Sequence, residues 1–410
     1  MKKSKFIIPK QYQYFEHPQI DTDIRVSVLR QLEEDISIYD NGGIYKKLEN
    51  ALAKLFPAKY LLTVSNGTNA LYSMFFGSNI GYKDEVIVPA YTFFATATPL
   101  FQLGAVPILC DSEENGNISA KDVEKLITPK TKAVVITHMW GIPCDMDSLS
   151  KVCKKHNILL LEDCSHAHGA AYKNHVVGTH YSDAAAWSMQ GKKLITAGEG
   201  GLLATNNKEI FERAVLLGHF NKRAKKEITL DIHKPFTITG FGGNLRIHPL
   251  GAAVLLPQLP KFKKQLRERR ETAKMLNNAI EKLTGLSNVK TPKSSLPAWY
   301  AFPFLFDESK FSVSKDEFVE YLNDIGAIEA DIPGSTCPMD KYEIFKKPWL
   351  LSKLYSEQKK CFADQEFNFP NAHLFHKKLI KLPTWYGENR KEYAKYYIQA
   401  LEHTVYKFKK

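Results

Sequence analysis

The chain has 410 residues, 44% hydrophobic and 24% charged, which excludes a collagenous, coiled-coil or largely disordered protein. Lysine and arginine number 56 against 44 acids, a net charge of +12. Such an excess suits a nucleic acid, a membrane surface or an anionic small substrate, or forms a solvated basic face.

In chain order, a helix is expected around Ile44, Leu48, Ala51, Leu52 and Leu55, which recur at helical spacing. The apolar run Tyr60–Val64 then leads into Ser65-Asn66-Gly67-Thr68-Asn69, a small-residue turn opening a second helix with Ala70, Leu71, Met74 and Phe75. Short apolar runs predict strands at Glu85–Val88, Val106–Cys110, Ala133–Thr137, Ile158–Glu162, Ala184–Ser188 and Leu202–Thr205, with helices at Lys121–Ile127 and Met146–His156. Alternating strands and helices predict an α/β layer structure with a mostly parallel sheet. Beyond residue 260 the pattern changes. Lys261–Leu283 is long, charged and striped by Leu266, Ala273, Leu276, Ile280 and Leu283, as a helix bridging two domains would be. Ala301–Phe306 reads as a strand, Lys315–Asn323 as a helix, and Lys341–Gln365 as an insertion or surface lobe.

The six cysteines, Cys110, Cys144, Cys153, Cys164, Cys337 and Cys361, form no C-x-x-C pair, as expected of reduced thiols in a cytoplasmic protein. The basic start Met1–Lys5 is followed by Phe6-Ile7-Ile8-Pro9, too short an apolar run for a signal peptide. No apolar stretch approaches the ~20 residues of a membrane span.

Four clusters carry chemistry. The turn at 65–69 presents free N–H groups at a helix N-terminus, where a phosphate binds, or is simply an N-cap made by Ser65 or Thr68. Leu161-Glu162-Asp163-Cys164-Ser165-His166-Ala167-His168 places acids and imidazoles at a strand's carboxyl end. These are also metal-ligand types, but neighbours on a strand point to opposite sides, so no metal site is expected. Ser188-Met189-Gln190-Gly191-Lys192-Lys193 puts two lysines beside a strand end, where desolvation makes an amine nucleophilic. Pro89–Ala97 delivers Phe93 and Phe94 to a loop, where an aromatic stacks on a flat ring or fills a core.

Taken in order, SNGTNAL, VIVPAYTFFATATPLFQLGAVPILCD, THMWGIPCDMD, LEDCSHAHGAAY, SMQGKKLITAGEGG and GFGGNLRIHPLGAAVLLPQL resemble the pyridoxal-phosphate-dependent sugar aminotransferases of the DegT/DnrJ/EryC1/StrS type. The resemblance runs from about residue 20 to the C-terminus. It implies the type I aminotransferase fold, with a large cofactor domain over 1–260, built on a mixed, mostly parallel sheet flanked by helices, and a smaller α+β domain over 261–410. Residue by residue, it implies that Lys193, five positions before Gly198, holds the cofactor, with Lys192 as the alternative. Asp163 pairs with the pyridine nitrogen, His166 lies beside the ring hydroxyl, and Phe93 stacks on the ring. Gly67, Thr68 and Ser188 form the phosphate cup, and Asn244 reaches the phosphate of a neighbouring subunit. Arg246 lies in the same turn. The implied catalytic pair is Lys193 and Asp163.

The implied activity is transfer of an amino group from glutamate or glutamine, through pyridoxamine phosphate, to a nucleotide-linked keto sugar. The alternatives are a keto cyclitol of the inosose type, or a dehydratase relative, which would carry histidine at the lysine position. A homodimer in the cytoplasm is expected, with no nucleic-acid or membrane partner. Pro370-Asn371-Ala372-His373 departs from the family's proline-x-alanine-glutamate.

Overall fold

The computed structural model describes residues 6–365 and 367–410; the basic start at 1–5 lies outside them. The largest sheet has seven strands: β1 (Tyr60–Val64), β2 (Glu85–Pro89), β3 (Val106–Cys110), β4 (Thr131–Thr137), β5 (Leu159–Asp163), β6 (Ala184–Ser188) and β7 (Gly201–Thr205). Their spatial order is β1-β7-β6-β5-β4-β2-β3. β7 is antiparallel to both β1 and β6, and every other pairing is parallel. The mixed, mostly parallel α/β sheet follows from strands that are apolar on both faces, such as Val86-Ile87-Val88 and Val134-Val135-Ile136, all fully buried. Each face carries its own core. One contains Leu71, Met74 and Phe75 of the helix Gly67–Gly77, and the other Leu48 and Leu52 of the helix Gly43–Ala53.

A three-stranded antiparallel sheet, β8 (Leu286–Asn288), β9 (Phe302–Phe306) and β10 (Leu379–Leu382), packs against the C-terminal helix Arg390–Phe408. The helix Leu259–Ile280 joins the two halves. Its first turns put Leu259, Phe262 and Leu266 into the second core of the large sheet, and its last turns put Ala273, Leu276 and Ile280 into the core of the small one. Ile8 and Phe15, at the other end of the chain, also lie in that small-sheet core.

The basic stretch Lys261–Arg270 of this helix is partly tied down. Arg269 is buried and donates to the carbonyl of Thr384 (2.8 Å), Arg270 donates to the carbonyls of Pro297 and Gly169 (2.8 Å each), and Lys261 pairs with Asp21 and Asp23. Residues 341–365 are more than a surface lobe. Their Phe345, Tyr355 and Phe362 are buried around Phe101 of the large half, and the Tyr355 hydroxyl reaches the carbonyls of Ala105 (2.9 Å) and Phe101 (3.2 Å). All six cysteines are unbonded, five of them buried. Among the described residues, no helix is long and apolar enough to cross a membrane.

Candidate active site

A cavity of about 560 Å³ opens at the carboxyl ends of β1, β4, β5 and β6. Its floor begins at the turn after β1. Asn66, rather than Ser65 or Thr68, caps the helix Gly67–Gly77, accepting from the Asn69 amide (2.8 Å). A Cβ on Gly67 would stand 2.5 Å from that of Ser188, so only glycine lets the end of β6 close against the helix N-terminus. Gly67, Thr68 and Ser188 thus line one corner of the cavity under the positive end of an 11-residue helix.

Asp163 ends β5 and is 4% exposed. One carboxylate oxygen accepts from the Thr96 hydroxyl (2.7 Å), the other from the Ser165 amide (3.0 Å). Thr96 sits in a hydroxyl cluster with Thr92 (2.9 Å) and Thr137 (3.3 Å). The buried acid is held by neutral donors, and among the described residues none forms an ion pair with it. Lys193 is one of three lysines that line the same cavity. Its amide is held by the Gln190 carbonyl (2.8 Å), and its Nζ lies 4.6 Å from the centre of the Tyr300 ring. Burial lowers its pKa to about 8 against the opposing pull of Asp163. Lys192 also lines the cavity, but its side chain is exposed.

Tyr300 owes its place to the THMWG motif. Trp140 and Gly141 turn through positive φ (57° and 85°), and a Cβ on Gly141 would meet the His166 carbonyl at 2.7 Å and the Trp299 amide at 2.8 Å. The turn accepts the amides of Ala298 (2.9 Å) and Tyr300 (3.0 Å), docking the segment that follows the bridging helix. The His166 ring then lies face to face with Tyr300 (4.1 Å, 10°). Burial first, and Lys193 second, hold His166 well below its ordinary pKa, so the ring is neutral.

Phe93 is 38% exposed and faces the cavity. It ends the strand Tyr91–Phe93, which pairs with Thr336–Pro338 so that Phe93 lies opposite Thr336. This pairing brings residues 331–336 to the cavity's other wall, where Lys381 pairs with Asp331 (2.7 Å). Asn244 is not brought in: it is exposed and away from the cavity lining, although its neighbour Leu245 accepts from the Ser65 amide (2.7 Å). His373 likewise faces Asp340 (2.9 Å), while the amides of Asn371 and Ala372 donate to Asp111 (3.1 and 2.9 Å).

The metal-like residues diverge as strand alternation requires. Asp163 faces the cavity, whereas Glu162 and Cys164 face the opposite side with His138. His138 Nδ1 accepts the Cys144 amide (3.0 Å), so Nε2 carries the proton and donates to Glu162 (2.7 Å). The Gly178 amide reaches the same oxygen (2.7 Å), which is the pattern of a folding network. His168 is buried edge-on to Phe56 (6.3 Å). Sequence reading missed Thr96, which was inside a quoted motif, and Tyr300, Asp331 and Lys381, which carry no local signal.

These residues fit a flat, phosphorylated pyridine. Among the described residues, His166 Nδ1 is buried without a hydrogen-bond partner and lies in the cavity wall. An anion corner, a buried carboxylate held by a hydroxyl and an amide, an exposed aromatic face and a low-pKa amine surround the same space.

Comparison with known proteins gives the same direction. Residues 18–402 match the model of the DegT/DnrJ/EryC1/StrS aminotransferase family. The chain is 33% identical over 311 residues to the GDP-perosamine synthase of Escherichia coli O157:H7, covering 75% of this chain and 82% of that one. It is 35% identical over 302 residues to a Micromonospora echinospora protein named "Putative L-glutamine:3-amino-2,3-dideoxy-scyllo-inosose aminotransferase", covering 72% and 70%. The solved aminotransferase of Psychrobacter cryohalolentis superposes with a TM-score of 0.81 at 25% identity, covering 96% of this chain and 99% of that one.

Proposed function

The chain belongs to the DegT/DnrJ/EryC1/StrS aminotransferase family and is a pyridoxal-phosphate-dependent sugar aminotransferase; from that premise we propose that glutamate or glutamine is its amino donor and a nucleotide-linked keto sugar its acceptor. The observation that carries the reading is that one cavity holds both a lysine whose pKa burial lowers to about 8 and a buried aspartate fixed by the Thr96 hydroxyl and the Ser165 amide.

The cofactor supplies the electron sink. Asp163 holds a proton on the pyridine nitrogen, which keeps the ring able to accept electrons. Thr96 and the Ser165 amide hold that carboxylate still. Lys193 would hold the cofactor through its amine, and the freed amine would serve as the base that takes a proton from the donor's Cα. An amine with a pKa near 8 has a useful neutral fraction at pH 7 to 8, where an ordinary lysine has almost none. His166 would lie beside the ring hydroxyl, Phe93 would stack on the ring, and Gly67, Thr68 and Ser188 would take the phosphate. Lys381, paired with the half-exposed Asp331, supplies a cation for the anionic part of a substrate.

The division near residue 260, into a cofactor half and a smaller half, suits a site with walls from both. A homodimer is supported by exposed Val26, Leu29 and Leu32 on the helix Thr22–Glu33, and by exposed Ile232, Phe236, Ile238 and Phe241. The exposed Asn244 lies in the stretch following that second group and would serve a neighbour's phosphate corner. Sedimentation giving an active monomer would overturn the dimer. A keto cyclitol acceptor is the second reading, favoured by the Micromonospora relative.

The test is to add glutamate or glutamine to purified enzyme, follow the visible absorbance, and then offer keto sugars and inososes. Absorbance that responds to the donor and is restored by a nucleotide-linked keto sugar supports the first reading. Restoration by inosose alone selects the second.

A further inference from the structure

The N-terminal strap, residues 6–17, is fastened to the small half. The Ile8 amide donates to the Ile325 carbonyl (2.8 Å), the Phe15 amide to Glu329 (2.9 Å), and the Tyr397 hydroxyl to the Gln13 carbonyl (2.6 Å). At its end the strap crosses to the lysine loop, where His17 Nε2 lies 2.7 Å from the carbonyl oxygen of Lys193. A carbonyl can only accept, so Nε2 carries the proton. Nδ1 is therefore the lone-pair nitrogen, and two donors face it: the Tyr386 hydroxyl at 3.2 Å and the Arg269 guanidinium at 3.4 Å. Both come from the small half or the bridging helix, and Arg269 is itself fixed by the Thr384 carbonyl (2.8 Å) and hydroxyl (3.1 Å). Every polar atom of the imidazole is thus spoken for in one neutral tautomer. Burial, with Arg269 beside it, lowers the ring's pKa to about 3 and keeps it in that state.

The consequence falls on Lys193. Its amide is tied to Gln190 inside the loop, and its carbonyl is tied to His17 outside it. With both backbone groups held, the direction in which the side chain leaves the loop is set. Toward the cavity the amine faces the Tyr300 ring (4.6 Å) and feels Asp163 and His166 electrostatically; behind its peptide stand His17 and Arg269, with Lys192 next in the chain.

We propose that His17 is a positioning residue for Lys193: it anchors the lysine's carbonyl from behind, and it makes the seating of the small half a condition of the lysine's placement. This rests on the reading of Lys193 as the cofactor lysine.

Two measurements test it. In cofactor-free, full-length protein, the pH dependence of Lys193 acylation by acetic anhydride is read by mass spectrometry. His17→Leu removes the donor and frees the amine toward water, raising the midpoint by about one unit, a tenfold change in proton affinity. His17→Gln keeps an N–H at similar reach and holds the midpoint near that of the parent. In loaded enzyme, His17→Leu lowers kcat about tenfold with KM little changed, and His17→Gln recovers most of it. An unmoved midpoint in His17→Leu overturns the proposal, as does a His17→Gln protein that melts normally yet shifts like the leucine variant. If His17→Leu does not fold, Tyr386→Phe decides: it removes one donor to Nδ1, and an unchanged midpoint overturns the anchoring. Lys193→Ala that retains transamination would instead sink the assignment of the lysine, a failure that leaves the labelling result readable by itself.

Discussion

The two walls of the cavity are built differently. On the large-sheet wall, the chemical groups are buried or half-buried and held in place: Asp163 by Thr96 and a backbone amide, His166 by the face of Tyr300, and the half-buried Lys193 by ties on both sides of its peptide. On the opposite wall, the charged pair Lys381–Asp331 is part-exposed, with side chains 25% and 52% accessible. An ion pair so wetted contributes about 0–1 kcal/mol and can be traded for another anion at little cost. Rigid, dry groups suit bond making, where geometry and charge must be set beforehand, and loosely paired, wet groups suit recognition. The backbone supports the contrast, since Asp331 and Lys381 exchange two main-chain hydrogen bonds (3.0 and 2.9 Å) that place the side chains together without burying them.

If the contrast holds, damage to the first wall falls on kcat and damage to the second on KM. The largest effect is expected from Lys193→Ala, which on the proposed assignment removes both the cofactor attachment and the base: transamination drops at least about 10³-fold while the melting temperature stays near the parent's. Asp163→Asn comes next, at about 10²–10³-fold in kcat, because a neutral amide no longer keeps the pyridine nitrogen protonated. Thr96→Val takes one charge-assisted hydrogen bond from that carboxylate and costs about tenfold. Single-turnover kinetics with glutamate checks all three. A Thr96→Val enzyme altered only in KM would break the comparison from the first wall.

On the second wall, Lys381→Met is expected to raise KM for the more anionic substrate about tenfold with kcat within about twofold. Asp331→Asn, which releases the lysine, should move the same KM the other way by a smaller factor. Steady-state kinetics with donor and acceptor varied in turn shows which substrate the lysine serves. Loss confined to kcat in Lys381→Met would place this side chain with the first wall.

The first wall was legible in the sequence because its residues sit at strand ends, inside short motifs whose spacing is fixed by the sheet. Asp163 follows an apolar strand, Lys193 follows another, and Gly67 opens a helix; each is found by reading ten residues at a time. The second wall was not legible, because Lys381 and Asp331 are fifty positions apart and meet through an isolated bridge. His17 was missed for the same reason: its partners are Lys193, Arg269 and Tyr386, and nothing local in the strap announces them. The segment 341–365 looked like a polar excursion because Tyr, Lys and Glu dominate it, yet a few aromatics fasten it to Phe101.

The smallest expected effect concerns acid, and it again separates the walls. The first wall and its backing hold histidines that folding keeps neutral. His17 and His168 have pKa values lowered from 6.5 to about 3, by burial first, with Arg269 beside one and Lys193 beside the other. His166 is lowered in the same direction for the same leading reason. In the unfolded chain these rings take up protons below about pH 6.5, and in the folded chain they do not until about pH 3. The unfolded state therefore binds more protons across that window, so stability is lost as pH falls from about 6.5, at up to about 1.4 kcal/mol per pH unit for each ring. The melting temperature is therefore expected to decline between about pH 6.5 and pH 5. His168→Leu deletes one of these rings away from the cavity lining, and should flatten the decline without restoring or abolishing turnover at neutral pH. A decline of the same slope in that variant, followed by circular dichroism at matched ionic strength, would mean that the dry wall's neutral rings do not set its sensitivity to acid.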